Sequence, residues 1–127
     1  MEENSRQLRL GEVDATLQSF VRYRALLAEP HLAEIYHRGS EDFGRLTETE
    51  KIQFNVVLDK YLFSYWALFH RLNEQAYDKP DWQSHLHALA EVLTRPGVIV
   101  WWRERKSTYP QKFVASIDDN FDAESID

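Results

Sequence analysis

The chain has 127 residues, of which 43% are hydrophobic and 13% aromatic, with four glycines, four prolines and no cysteine. This length suits one domain, and the apolar content is too high for global disorder. The lack of cysteine excludes disulfides, thiol catalysis and cysteine-bound metals. The scarcity of glycine and proline argues against a β sandwich or barrel with many turns.

The net charge of −6 is distributed unevenly along the chain. Five of the 21 acidic residues lie in 117–127, a stretch without Lys or Arg, which leaves 16 acidic against 15 basic residues elsewhere. A balanced body lacks the clustered positive charge of a phosphate-binding surface, so no nucleic-acid partner is expected. We predict one helical domain over 1–118, followed by an acidic, frayed tail over 119–127.

Apolar residues in the first quarter of the chain recur with helical spacing. They are Leu10, Val13, Leu17, Phe20 and Leu27. This pattern predicts a long helix over about 3–29. Pro30 ends it, because the residue before a proline avoids the helical conformation, and suits the first turn of a short second helix. Gly39 is expected to end that second helix as a C-terminal cap.

A second long helix is predicted over about 48–76. Thr47 and Glu50 have the spacing of a capping box at its start. Its main apolar face contains Phe54, Val57, Leu58, Tyr61, Leu62, Tyr65, Leu68, Phe69 and Leu72. A second stripe lies on the opposite side, interrupted by Asp59, and contains Ile52, Val56, Phe63, Trp66, Ala67 and His70. A helix that is apolar on two sides is usually enclosed within a bundle.

Shorter helices complete the predicted fold. One follows the turn at 78–81, and another is the segment VIVWWRERK at 98–106. In this segment Trp101 and Trp102 share one face, and Arg105 is placed one turn further on to lie over an indole ring. A last helix follows Pro110. The predicted fold class is all-α: a helical bundle with two long antiparallel helices, about 3–29 and 48–76, and three to four shorter helices.

No motif in the chain indicates catalysis or cofactor binding. There is no G-x-S-x-G nucleophile elbow, no G-x-x-x-x-G-K and no G-x-G-x-x-G phosphate loop. The E-x-x-H at Glu34 and His37 occurs once, whereas a di-iron bundle needs two such motifs and two further glutamates. His70 is interpreted as an interface or core residue rather than a ligand. We therefore expect no metal, no cofactor and no catalytic residue, and an enzyme is the less favoured class.

Four segments resemble a known family by their order and spacing: HLAEIYHRG, LTETEKIQF, YLFSYWALFHRL and LTRPGVIVWWRERKSTYPQKF. Over about residues 4–118 the chain resembles an uncharacterised bacterial all-helical domain family, a domain of unknown function. Its members often have an N-terminal transmembrane helix that is absent here, so the resemblance implies either an anchor upstream of Met1 or a member without one. The predicted location is cytoplasmic, at the inner face of the membrane if the anchor exists, because Arg6 and Arg9 just beyond that anchor would favour this side. The resemblance implies no activity.

Two function hypotheses follow. The first is a non-enzymatic interaction module that binds a second copy or a helical protein partner through the second stripe, provided that the shorter helices leave the stripe uncovered. The residues of this candidate interface are Val56, Phe63, Trp66 and His70, of which three repeat every seven positions. The alternative is a small-molecule-binding protein or enzyme with an aromatic pocket. The residues of that pocket would be Tyr61, Tyr65, Trp66 and His70.

Overall fold

The computed structural model describes residues 17–74 and 79–119. All regular structure in these two ranges is helical, which confirms the predicted all-α fold class. The helices are α1 (17–27), α2 (Pro30–Glu41), α3 (Glu48–Glu74), α4 (Lys79–Leu93), α5 (Pro96–Arg105) and α6 (Gln111–Asp118), with 3-10 turns at Phe43–Arg45 and Lys106–Thr108. Besides the described part of α1, four helices are shorter than α3: α2 precedes it, and α4, α5 and α6 follow it.

The helices α1 and α3 run antiparallel. The hydroxyls of Ser19 and Ser64 are hydrogen-bonded at 2.7 Å. One turn further along α1, the ring of Tyr23 packs against Tyr61, which lies one turn earlier in α3, with centroids 4.6 Å apart. Contacts that advance along one helix and retreat along the other require opposite directions. α1 ends at 27 rather than 29; its predicted start and positions 75–76 lie outside the described residues.

The predicted capping box forms the start of α3. The Thr47 N–H donates to Glu50 Oε1 at 3.0 Å, and the Glu50 N–H donates to Thr47 Oγ1 at 3.2 Å. Glu50 also accepts hydrogen bonds from both terminal guanidinium nitrogens of Arg38 on α2. The Arg38 pairing, together with the Thr47 N–H, lowers the pKa of the Glu50 carboxyl to about 2. Charge pairing therefore joins the start of α3 to α2.

Acid should weaken this connection. The pKa of Glu50 is about 2 in the folded chain against an ordinary 4.5, so its contribution to stability is complete above pH 4.5 and is lost as the pH falls toward 2. The difference in unfolding free energy between wild type and Glu50→Gln should shrink over this range in denaturant titrations. In an Arg38→Gln background the difference should depend less on pH. An equal pH dependence in both backgrounds would contradict this assignment.

Two glycines allow α2 and α5 to cross closely. A Cβ atom on Gly97 would lie 1.7 Å from the carbonyl oxygen of Gly39, and a Cβ atom on Gly39 would lie 2.4 Å from the ring of Phe54. The prediction that Gly39 ends α2 was wrong, since this helix continues to Glu41. Gly39 is required for the close approach of neighbouring atoms and not for a left-handed cap.

The two adjacent tryptophans of α5 are buried and connect it to two other helices. Trp102 is fully buried, and its indole N–H donates to Asp118 of α6 at 3.1 Å. The indole N–H of Trp101 donates to the side-chain oxygen of Asn55 on α3 at 2.8 Å. Fully buried side chains around them form the core, and these include Ile35, Phe54, Leu58, Leu62, Leu89, Leu93, Val98, Phe113 and Ile117. The packing of α5 thus fixes where α3 meets α6.

Candidate interaction surface on the third helix

One side of α3 is left uncovered by the other described helices. Ile52, Val56 and Phe63 are exposed over 66%, 54% and 53% of their surface. Trp66 on the same side is half-buried, and His70 is exposed. Single exposed apolar residues are ordinary on a protein surface, whereas a contiguous set is typical of a contact surface.

The spacing of these residues is that of a coiled-coil seam. Successive members are four, three, four, three and four residues apart, which is the heptad period. We call this set the seam, and it consists of Ile52, Val56, Asp59, Phe63, Trp66 and His70. It extends about 27 Å along α3 at 1.5 Å per residue. Its aromatic half is held together by ring contacts, with centroids 5.9 Å apart for Phe63 and Trp66 and 6.1 Å for Trp66 and His70.

Asp59 lies within the seam, but its charge is satisfied inside the chain. Arg105 donates to both carboxylate oxygens, at 3.3 and 2.8 Å, and the Asn55 amide donates at 3.3 Å. The Tyr109 hydroxyl donates as well. Burial and this bond to Asp59 raise the pKa of Tyr109, so the hydroxyl keeps its proton. Asp59 is 18% exposed and interrupts the seam without leaving an unpaired charge.

The position of Arg105 corrects the sequence prediction. Arg105 was expected to lie over an indole ring of α5, but it pairs with Asp59 of α3 instead. A charged hydrogen bond to both oxygens of a carboxylate is stronger than contact with a ring face. The two residues lie 46 positions apart in the chain, so no local pattern could have indicated the pair.

A groove of about 350 Å³ opens between α3 and α5, next to the N-terminal half of the seam. It is lined by Phe43, Lys51, Ile52, Asn55, Val56, Trp101, Glu104 and Arg105. Sequence reasoning did not identify the groove, because its two walls come from separate helices. The local signal on α3 is limited to Asn55, a polar residue next to the apolar Val56 in the groove wall. The groove combines apolar side chains, Ile52, Val56 and Trp101, with charged ones, Lys51, Glu104 and Arg105.

The structure keeps the residues of the candidate interface on one side of α3 and divides those of the alternative pocket. The four residues of the candidate interface all belong to the seam. The four residues of the alternative pocket lie on two sides of α3: Tyr61 and Tyr65 are buried, whereas Trp66 and His70 are on the seam side. The tyrosine hydroxyls are hydrogen-bonded to each other at 3.3 Å, and both rings contact Phe20 of α1. Burial raises the pKa of both tyrosines. None of these four residues lines the groove.

The E-x-x-H residues make separate contacts on the surface of α2. Glu34 forms an ion pair with Arg38 at 3.3 Å, and the His37 imidazole lies 3.4 Å from the Glu41 carboxylate. Within 17–74 and 79–119, no three His, Asp or Glu side chains are grouped so that they could hold a metal ion. No helix in those ranges combines the length and apolar composition that crossing a bilayer requires.

Comparison with known proteins gives no family assignment. No family model, curated protein or solved structure matches the chain. The resemblance to a bacterial helical domain family, with the upstream anchor and the location that it implies, therefore stays a prediction. The geometry of the seam and the groove is what supports a function for this chain.

Proposed function

We propose that this protein is a helix–helix interaction module that assembles with a second copy of itself through the seam of α3. The observation that carries the proposal is the exposure of Ile52, Val56 and Phe63 in heptad register. Leaving these side chains in water is unfavourable, and packing against a second helix removes them from it. Heptad spacing is the arrangement in which two helices interlock side chains along such a stripe.

The chemistry of the seam supports a second copy as the partner. Aliphatic side chains lie at its N-terminal end and aromatic ones at its C-terminal end, so two seams can supply each other's contacts. The one charge in the seam, Asp59, is paired with Arg105 of its own chain. A partner therefore need not supply a cation, and an identical apolar seam meets the requirement. Twofold pairs are the commonest closed assemblies of identical chains.

Val56→Glu should make the protein monomeric. A carboxylate at this position would lose water against the apolar seam of the second copy, and pairing with Lys51 or Lys60 of its own chain would offset only part of that cost. We expect the dissociation constant to rise at least about thirtyfold, as for loss of a central contact residue. By light scattering, wild type above its dissociation constant should have twice the 15.1 kDa chain mass, and the variant the single mass. Helix content should not change, because Val56 is more than half exposed.

Val21→Glu is the matched control for this experiment. Val21 on α1 is the same residue type and is 63% exposed, but it lies outside the seam. This variant should keep the wild-type mass, while Phe63→Glu within the seam should behave like Val56→Glu. A wild-type protein that has the single-chain mass at millimolar concentration would refute the proposal. So would a folded Val56→Glu variant that keeps the double mass.

A further inference from the structure

We infer that the two copies pair antiparallel about a twofold axis near the middle of α3, with Trp66 of each copy inserted into the groove of the other. This inference rests on the proposed self-association and adds the orientation and the central contact. The groove lies beside the N-terminal half of the seam, and its α3 wall spans 51–56. Trp66 lies in the other half and is half-buried against Phe63 and His70.

The groove and Trp66 lie at equal distances from the middle of the seam. The midpoint between Ile52 and His70 falls at position 61. Val56, in the groove wall, precedes this point by five residues, and Trp66 follows it by five, which is about 7.5 Å on either side. A twofold rotation about the midpoint therefore brings Trp66 of one copy against Val56 of the other. A knob and a recess related in this way are what a self-complementary interface requires.

Trp66 also lies on the side of the seam on which α5 packs. At 100° per residue, its direction from the helix axis lies about 80° from that of Val56, toward Asn55 and Asp59. Asn55 and Asp59 are hydrogen-bonded to Trp101 and Arg105, so this is the side on which α5 packs. A twofold axis perpendicular to the seam keeps both α5 helices on the same side. The indole of one copy then faces α5 of the other.

The groove offers the contacts that an indole needs. Ile52 and Val56 supply apolar wall, and Glu104 supplies a carboxylate that can accept the indole N–H. The Arg105 side chain is 38% exposed while it pairs with Asp59, so it stays accessible to the face of an inserted ring. These groups line one groove, so an inserted indole can contact the apolar wall, the carboxylate and the cation together.

Charge favours the antiparallel order over the parallel one. In a parallel pair each Asp59 lies opposite the second copy's Asp59. The two grooves then lie on opposite sides of the pair at the height of Val56, ten residues away from Trp66, so neither groove receives an indole. In an antiparallel pair Asp59 lies opposite Phe63 of the second copy, and the α3 dipoles oppose each other favourably. The two Lys60 side chains approach each other at the solvent-facing edge, where water and salt screen their repulsion.

Distances between spin labels distinguish the two orders. The chain has no cysteine, so one introduced cysteine places one label per copy. Gln53, Lys60 and Ala67 lie one heptad apart beside the seam and are partly exposed. For antiparallel pairing, the distance between the two copies is shortest at position 60, and an axial separation of about 24 Å is added at position 53 and about 18 Å at position 67. For parallel pairing, the three distances are equal.

Insertion into the groove is tested separately with Glu104→Lys. This change removes the acceptor for the indole N–H and should raise the dissociation constant about tenfold. Glu91→Lys, the same change at an exposed site on α4, should leave it at the wild-type value. An unchanged dissociation constant in Glu104→Lys would overturn the insertion of Trp66.

Three equal label distances would overturn the antiparallel order and leave self-association standing. A single-chain mass for the wild-type protein would overturn the proposed function itself.

Discussion

We expect Gly97→Ala to lower the free energy of unfolding by about 3 kcal/mol. The added Cβ would lie 1.7 Å from the carbonyl oxygen of Gly39 and 2.8 Å from its carbonyl carbon. Both are backbone atoms, so no side-chain rotation can relieve the overlap, and α2 and α5 must move apart. That movement would loosen the core packing beneath the crossing. Urea unfolding followed by circular dichroism measures the loss.

Gly44→Ala is the matched control for the glycine crossing. A Cβ atom there would meet only Asp42 Oδ1, at 3.4 Å, which is ordinary contact. The expected change is within about 0.5 kcal/mol, as for most exposed positions. If Gly97→Ala and Gly44→Ala were equally stable, the close crossing of α2 and α5 would be contradicted.

Trp102→Ala should lower the unfolding free energy by about 3–5 kcal/mol, because it leaves a large cavity in the core. Trp102 is fully buried, and its ring lies 5.8 Å from that of Tyr109. The change also removes the hydrogen bond from the indole to Asp118. A domain of this size is stabilised by only about 5–15 kcal/mol, so partial unfolding at physiological temperature should be visible in thermal melts.

Trp66→Ala is the control for the loss of an indole. It should be compared with Trp102→Ala in a Val56→Glu background, where assembly does not contribute to stability. Trp66 is half-buried on the seam, so its removal from the single chain should cost about 1 kcal/mol or less. Equal losses for the two tryptophans would show that α5 does not pack into the core as described.

Local signals in the sequence predicted most of the helices. The capping box of Thr47 and Glu50, the prolines that begin α2 and α5 and the paired tryptophans act within a few residues of one another. Their effects are therefore decided by neighbours in the chain. Gly39 was misinterpreted for the opposite reason: its role depends on Phe54 and Gly97, which are brought to it by the fold.

The exposure of the seam could not be predicted from the sequence. Periodicity indicated that α3 is apolar on two sides, but it could not say which side the shorter helices cover. The bonds from Trp101 to Asn55 and from Arg105 to Asp59 hold α5 at the edge of the seam rather than over it. Both bonds join residues 46 positions apart. The exposure of Val56 and Phe63 is thus a consequence of long-range pairing.

The buried tyrosines between α1 and α3 give the protein an optical reporter of its own unfolding in alkali. Burial raises the pKa of Tyr23, Tyr61 and Tyr65 above that of a free phenol. The contribution of these tyrosines to the free energy of unfolding is therefore complete below pH 10. It is lost as the pH rises further, because the unfolded chain releases these protons more readily. The tyrosinate absorbance of these three residues should consequently rise together with the loss of helix, in one cooperative step rather than as a simple titration.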